Sequence, residues 1–200
     1  GGYKCFAVGG LDKYHSVIGG ERCWIVHPSD IAVALTALDA KVKIFGPTGS
    51  KTIEIDDFFA GPEIDIHREN ILGEGEFVSY IEINCEEESS SSTFLKFKER
   101  QSMDFALASA AVSISLTGRE IYRVGVAVGG IAPIPWRLPE IEEYMLGMNI
   151  EDAKHSDQLL SKVDSSLRDA KPMSENNAYK IDLAISYLKR AMDRVFQDLC

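Results

Sequence analysis

The chain has 200 residues, of which 45% are hydrophobic and 26% are charged, and its formal net charge is −10. This length allows a buried core. The acidic balance argues against nucleic acid as a partner, because duplex binding relies on Lys and Arg to neutralise phosphates. No apolar run approaches the roughly 20 residues that cross a bilayer, so we expect no membrane span. The four cysteines are far apart, and no signal peptide opens the sequence, which favours reduced thiols and a cytoplasmic location.

The first half of the sequence predicts a helix and several strands. Ser29 is a favourable N-cap, and Ile31, Leu35 and Leu38 follow it at helical spacing. Alternating residues predict strands at 41–45, 51–55 and 76–83, the first two joined by the turn sequence GPTG.

Residues 86–92, with the sequence EEESSSS, form the clearest boundary in the chain. The run is charged, small and without periodicity, as expected of a solvated connection. We therefore predict two domains, one over residues 1–86 and one over residues 93–200. A long hairpin loop inside a single domain is the alternative.

The second half of the sequence predicts paired strands followed by three helices. The strands fall at 108–116 and 121–128, with Thr117 and Gly118 at their turn. Helices are expected near 139–146, over 151–170 and in the last 20 or so residues. The last helix carries an apolar stripe with a period of 3.6 residues, which we interpret as core.

A few positions are candidates for ligand binding on residue type alone. Ser29 and Asp30 begin a helix, where unpaired backbone N–H groups favour a phosphate or the hydroxyls of a sugar chain; a plain N-cap is the alternative. At Gly19 and Gly20 the backbone can approach a ligand closely. Lys96 is either a cofactor contact or a solvated surface lysine. No GxSxG, HExxH, Walker or GxGxxG motif is present, so we predict no catalytic residue.

The stretch from 93 to 137 carries the most specific pattern. It reads TFLKFKERQSMDFALASAAVSISLTGREIYRVGVAVGGIAPIPWR, with Lys96, Arg100, Asp104 and Ala106 in the spacing Lys-x3-Arg-x3-Asp-x-Ala. This order resembles the C-terminal flavoprotein domain of the molybdenum hydroxylases, the family of xanthine dehydrogenase, carbon monoxide dehydrogenase and 4-hydroxybenzoyl-CoA reductase. The resemblance extends over essentially the whole chain.

The resemblance implies an α+β fold. Residues 1–86 would form the second half of a vanillyl-alcohol-oxidase-type FAD-binding domain, and residues 93–200 a three-stranded sheet carrying helices. In relatives a small subdomain upstream supplies a glycine-rich loop for the pyrophosphate, so we expect this piece alone to hold FAD weakly or not at all.

The resemblance also implies specific cofactor contacts. Lys96 matches a lysine that contacts the flavin, with Lys98 as an alternate, and Val78 matches an apolar residue presented to the flavin. Ser29 and Asp30 lie in the segment that the family places against FAD. Gly19 and Gly20 match a glycine pair before that segment, or merely close an insertion upstream of it.

Cys5 and Cys23 resemble the last two ligands of an inserted [4Fe–4S] loop known in 4-hydroxybenzoyl-CoA reductase. Two ordinary thiols are the alternative, because two cysteines cannot hold a cluster that requires four.

The implied role is electron transfer by FAD. A molybdopterin-binding large subunit performs the substrate chemistry, a small subunit carries [2Fe–2S] clusters, and an external acceptor or donor exchanges electrons with the flavin. A stand-alone flavin oxidase and an assembly module without flavin are the alternatives.

Overall fold

The computed structural model describes residues 5–20, 22–85 and 89–200. The predicted boundary residues 86–88 therefore lie outside the described part of the chain, as do residues 1–4. Within the described residues, no helix combines the length and the apolar character needed to span a membrane. The fold is α+β, as predicted, with two antiparallel sheets.

The first sheet follows a short helix, as the sequence predicts. The helix is α1 (Asp30–Ala37), and the sheet consists of strands β1 (Lys41–Gly46), β2 (Gly49–Glu54) and β3 (Phe77–Glu82). The strand order is β2-β1-β3, and all pairs are antiparallel. Alternate residues of β1, Val42 and Ile44, are buried against Leu35 of the helix and Ile55, which explains why the period-two pattern in this stretch predicted a strand.

The second sheet contains three long strands, as predicted, and a fourth strand of two residues. Its elements are β4 (Ser90–Phe97), β5 (Ala108–Thr117), β6 (Glu120–Gly129) and β7 (Trp136–Arg137), in the order β4-β5-β6-β7. Strand β4 begins at Ser90, inside the run 86–92 that was predicted to be a connection, and Ser90 pairs with Ser115 of β5. Small hydroxyl side chains are compatible with this ladder, whose opposite strand is also rich in Ser and Ala. The division into domains at 86 and 93 stays a prediction.

Four helices follow the second sheet, where the sequence predicted three. They are α2 (Pro139–Met145), α3 (Ile150–Lys154), α4 (Asp157–Ser165) and α5 (Glu175–Leu199). The prediction of a single helix over 151–170 was wrong, because α3 ends at Lys154 and a new helix begins after Ser156. The Ser156 hydroxyl accepts the backbone N–H of Leu159 at 3.0 Å and so caps a new helix.

The apolar stripe of α5 is core, as predicted. Leu188, Met192 and Val195 are buried in the main cluster, and Ile181 and Ile185 pack against it. The valines of β6 face the same cluster. Burial of this stripe is the main stabilising contribution of the last helix.

The opposite face of the second sheet receives α1. Val33 and Ala37 of this helix form a separate buried cluster with Ala111 and Ala127. The small residues on this face, which alternate with the valines of β6, let the helix backbone approach the strand. This contact joins the first half of the chain to the second sheet.

We expect Gly125→Ala to destabilise the chain by about 2–3 kcal/mol, as overpacking against a rigid neighbour does. A Cβ at Gly125 would lie 2.1 Å from the backbone oxygen of Ala37, so α1 would have to move. Denaturant unfolding measures the loss. Gly73→Ala is the control, because Gly73 does not have a positive φ and a Cβ there would lie in ordinary contact with Glu76, 3.4 Å from its carboxylate oxygen. An equal loss in both variants would contradict close packing of α1.

Candidate cofactor site

A cavity of about 590 Å³ lies where the segment that leads into α1 meets the segment that follows β4. Its volume is in the range of cofactor and ligand sites. The wall combines hydroxyl, carboxylate and guanidinium groups with apolar side chains. The lining residues are Tyr14, Val26, His27, Pro28, Ser29, Asp30, Glu99, Arg100, Asp104, Phe105, Ala106, Leu107, Ser109 and Gly130.

The first wall is the start of α1. The Ser29 hydroxyl accepts the backbone N–H of Ala32 at 3.1 Å, so Ser29 is the N-cap that the sequence predicted. Asp30 is the first helical residue and lies in the first turn, where a carboxylate is stabilised by the helix dipole. Ala32 and Val33 in the first turns of the helix are buried, and Val33 packs against the second sheet, which holds the start of the helix in place.

Lys96 lies at the end of β4 and connects the two segments. Its ammonium forms an ion pair with Asp30 and donates a hydrogen bond to the backbone oxygen of Asp104 at 2.9 Å. Its side chain is 22% exposed and that of Asp30 is 31% exposed, so the pair is largely screened from bulk water. The pair joins residues 66 positions apart in the sequence.

The segment after β4 is held by a second ion pair. Arg100 donates from Nε and Nη2 to the two carboxylate oxygens of Asp104, at 2.9 and 2.8 Å. These hydrogen bonds lower the pKa of the Asp104 carboxyl and keep it ionised. Two residues of the quoted Lys-x3-Arg-x3-Asp-x-Ala spacing therefore form an ion pair with each other. The Lys98 amine, in contrast, donates to the Ser102 backbone oxygen at 2.9 Å at an exposed position.

Three further residues of the cavity had not been singled out from the sequence. Tyr14 donates its hydroxyl hydrogen to Glu99 at 2.8 Å, and Lys13 forms an ion pair with the same carboxylate. Phe105 is 67% exposed although it lies on the cavity wall. Phe105 directly follows Asp104, so its position in the sequence could have indicated that it lies at the site. Nothing in the sequence indicated that Tyr14 and Glu99, 85 positions apart, would meet.

His27 stands between this cavity and a second one of about 460 Å³. Its Nδ1 lies 3.5 Å from a carboxylate oxygen of Glu69, and its ring packs edge-on against Phe59. Burial lowers the pKa of His27, against the opposing effect of Glu69. A neutral imidazole therefore lines the cavity at neutral pH.

The structure brings Ser29, Asp30 and Lys96 together, but it places the other candidates elsewhere. Val78 lies on β3 opposite Ile44, is 36% exposed, and is outside the cavity lining. A Cβ on Gly19 would lie 3.0 Å from the Trp136 ring, and one on Gly20 would lie 2.2 Å from the Ser16 hydroxyl. Close packing thus accounts for both glycines without a ligand.

Cys5 and Cys23 are both half-buried, and all four cysteines of the chain are free thiols. Among the residues that the structure describes, no group of three or more His, Cys, Asp or Glu side chains is arranged to hold a metal ion. A [4Fe–4S] cluster takes four cysteine thiolates. Residues of this chain alone therefore do not complete such a site.

The donor set of the cavity fits a flavin nucleotide. A flavin combines a flat aromatic ring with a polar edge, hydroxyls and phosphates. The cavity offers apolar surface from Val26, Phe105 and Leu107. The Lys96 ammonium lies beside it, bound to the lining residue Asp30, and the N-terminus of α1 adds backbone donors. Aromatic, cationic and backbone N–H partners are the groups that such a ligand uses.

Comparison with known families agrees with this arrangement. Residues 93–195 match the family described as "CO dehydrogenase flavoprotein C-terminal domain". Residues 13–83 match the family described as "FAD binding domain in molybdopterin dehydrogenase". The cavity takes its wall from both matched segments.

Curated relatives carry corresponding names. The chain is 32% identical over 185 residues to the aldehyde oxidoreductase FAD-binding subunit PaoB of Escherichia coli, covering 92% of this chain and 53% of that protein. It is 34% identical over 151 residues to the glyceraldehyde dehydrogenase medium chain of Sulfolobus acidocaldarius, covering 75% of this chain and 50% of that protein. The chain therefore spans about half the length of these relatives.

Solved structures share the fold. The carbon monoxide dehydrogenase of Hydrogenophaga pseudoflava superposes with a TM-score of 0.70 at 23% identity, over 86% of this chain and 60% of that one. Quinoline 2-oxidoreductase from Pseudomonas putida superposes with a TM-score of 0.65 at 18% identity, over 95% of this chain and 60% of that one. Two matched family domains in this order, with the fold they share, show that the chain belongs to the family of FAD-binding subunits of the molybdenum hydroxylases.

Proposed function

We propose that the complete protein is the FAD-carrying electron-transfer subunit of a molybdopterin-dependent dehydrogenase or hydroxylase. The observation that carries the proposal is the ion pair between Asp30 and Lys96 at the cavity. One partner comes from the matched FAD-binding segment and the other from the matched C-terminal flavoprotein segment. The pair therefore assembles only when both segments are folded against each other.

The residues of the chain bind and orient the cofactor in this proposal. FAD, when bound, supplies the acceptance and release of one or two electrons. Ser29 and the first backbone N–H groups of α1 position the polar part of the molecule. Lys96, held by Asp30 and by the Asp104 carbonyl, presents a fixed positive charge that favours negative charge on a neighbouring ring.

Three of the predicted contacts, Val78, Gly19 and Gly20, lie outside the cavity lining. The side chain of Val78 is partly exposed and is able to meet a ligand, so it stays a candidate contact. Gly19 and Gly20 stay candidates as well, although their packing against Trp136 and Ser16 is the simpler explanation of why they are glycines.

We further propose the partners that the family role requires. A molybdopterin-binding large subunit performs the substrate chemistry, and a small subunit with [2Fe–2S] clusters passes electrons to the flavin or receives them from it. An external acceptor or donor completes the path. The free cysteines fit a reducing compartment, and we place this heterotrimer in the cytoplasm.

An additional [4Fe–4S] cluster is part of the proposal for the complete subunit. Cys5 and Cys23 would supply two thiolate ligands, and two further cysteines from outside residues 1–200 would complete the site. Their partial burial is compatible with a cluster near the surface of the domain.

The test is an absorption spectrum of the complete subunit, purified anaerobically and measured before and after reduction with dithionite. We expect flavin bands that bleach on reduction, and reduction by substrate only when the molybdopterin and [2Fe–2S] subunits are added. A broad shoulder at shorter wavelength with about four iron atoms per subunit would support the cluster. Flavin reduction by a small substrate without the partners would indicate a stand-alone oxidase. A colourless protein that ignores added FAD but binds the partners would indicate an assembly module.

A further inference from the structure

The first two turns of α5 hold a distant segment of the chain, residues 12–16. We call Asn177, Tyr179 and Lys180 the α5 clamp. The Asn177 amide donates to the backbone oxygens of His15 and Ser16 at 3.4 and 3.2 Å. The Tyr179 hydroxyl donates to the backbone oxygen of Lys13 at 3.2 Å. More than 160 residues separate these partners in the sequence, so the contacts are purely tertiary.

Lys180 makes the most unusual of these contacts. Its ammonium donates to the backbone oxygens of Tyr14 and His15, at 2.8 and 3.1 Å. The residue is 1% exposed, yet none of its hydrogen-bond partners among the described residues is a carboxylate. Burial lowers its pKa to about 8. Since an amine donates hydrogen bonds whether or not it is protonated, the two contacts persist in both states.

The free-energy cost of burying this amine indicates that its hydrogen bonds to the 12–16 segment offset that cost. A buried lysine without an acidic partner is destabilising unless its donors are used. Here one hydrogen bond satisfies the Tyr14 carbonyl and a second shares the His15 carbonyl with Asn177, in a segment without regular secondary structure. A hydrophobic residue of similar size would fill the same space but would remove the Lys180 hydrogen bond from the Tyr14 carbonyl and leave the His15 carbonyl to Asn177 alone.

The far side of the same segment forms a wall of the cofactor cavity. The Tyr14 side chain lines the cavity and donates to Glu99, which lies on the neighbouring wall. Lys13 contacts the same carboxylate. The backbone oxygen of Tyr14 is held by Lys180 while its side chain faces the cavity. The clamp and the cavity therefore act on opposite sides of one residue.

We propose that Lys180 is a positioning residue of the cofactor cavity: by holding the Tyr14 and His15 carbonyls, it keeps Tyr14 against Glu99 and closes that wall around the bound cofactor. This inference rests on the proposed function, because it assigns the cavity to FAD. It adds a role for a buried residue that never touches the ligand.

The test compares Lys180→Met, which keeps the volume but removes the donors, with Lys180→Arg, which keeps donors. Lys189→Met is the control, because Lys189 lies on the same helix and pairs with Asp164 at the surface. Two properties are measured in the complete subunit: hydrogen exchange of the backbone amides of residues 12–17 without cofactor, and the dissociation constant of FAD by quenching of flavin fluorescence.

We expect Lys180→Met to accelerate exchange in residues 12–17 about tenfold and to weaken FAD binding about tenfold, the effect of losing one or two buried hydrogen bonds. Lys180→Arg should return both values to within about threefold of the wild type, and Lys189→Met should change neither. Tyr14→Phe tests the wall without touching the core. It should leave exchange unchanged and weaken FAD binding about two- to fivefold through loss of the Glu99 hydrogen bond.

Several outcomes would overturn the inference. Faster exchange in Lys180→Met with unchanged FAD affinity would show that the clamp serves stability alone. Unchanged exchange, or no recovery in Lys180→Arg, would show that the donors do not hold the segment. Should Lys180→Met not fold, unchanged affinity in Tyr14→Phe would reject the wall. A wild-type subunit that binds no FAD would refute the proposed function instead, and the exchange data would still show whether the clamp exists.

Discussion

Replacing Arg137 by methionine is expected to lower the free energy of unfolding by about 2 kcal/mol, less than the cost of removing one partner from a fully buried ion pair because only Glu142 of its three partners is buried. Arg137 lies in the short strand β7 and its side chain is 24% exposed. Its guanidinium contacts three carboxylates, those of Asp39, Asp56 and Glu142. The variant would leave all three without this cation.

The network joins elements that are distant in the sequence. Asp39 follows α1 and Asp56 follows β2, whereas Glu142 belongs to α2 and also accepts the Val126 backbone N–H at 2.7 Å. Burial alone would lower the pKa of Arg137, but the hydrogen bonds that its guanidinium donates to the carboxylates of Asp39 and Glu142 outweigh burial and raise it. Burial raises the pKa of the Glu142 carboxyl. The hydrogen bonds that this carboxyl accepts from Val126 and Arg137 act in the opposite direction and lower the pKa. The arginine thus stabilises a carboxylate that the interior disfavours.

Two comparison variants make the prediction specific. Arg119→Met removes an exposed ion pair with Glu151 and should cost less than about 1 kcal/mol. The double variant Arg137→Met with Glu142→Gln removes the buried negative charge as well, so it should recover part of the loss. Denaturant unfolding of all variants measures these differences. If the double variant loses as much as the single one, packing of the arginine side chain rather than charge is responsible.

Replacing Lys96 by methionine is expected to weaken FAD binding to the complete subunit about 10- to 100-fold, the range for a charge-assisted hydrogen bond. The change removes the only side chain among the described residues that pairs with Asp30. It leaves an unneutralised carboxylate at the cavity, which repels the anionic pyrophosphate of the cofactor. Loss of a positive charge near the ring should also make the flavin reduction potential more negative.

The double variant Lys96→Met with Asp30→Asn separates two roles for this lysine. If Lys96 contacts the flavin, the double variant stays weak and its potential stays shifted. Full recovery of affinity would show that Lys96 serves only to neutralise Asp30. Lys98→Met is the matched control, because the Lys98 amine is occupied by the Ser102 carbonyl at an exposed position. A larger effect at Lys98 than at Lys96 would contradict the assignment of the cofactor contact.

Local patterns predicted the regular elements well. The strands of the first sheet, β5 and β6 of the second, the N-cap at Ser29 and the apolar stripe of α5 were all predicted, because each depends on side-chain periodicity or on hydrogen bonds to near neighbours. The third long strand of the second sheet, β4, was expected only from the family resemblance. The break between α3 and α4 was missed although Ser156 carries an N-cap signal. A continuous helical pattern over 151–170 outweighed one capping residue. The two-residue strand β7 is too short to leave a periodic pattern.

The sequence by itself indicated the family, most strands of the two sheets and six cofactor candidates, of which Ser29, Asp30 and Lys96 lie together in the structure. Spacing along the chain contains that information, since residues on one element keep fixed relative positions. Only the tertiary structure decided that Lys96 pairs with Asp30, that Tyr14 meets Glu99, and that Lys180 holds the Tyr14 carbonyl. These contacts depend on how α1, α5 and the loops dock on the second sheet. How these elements dock depends on the apolar area buried and on the shape complementarity of many residues at once. A local sequence pattern does not contain that information.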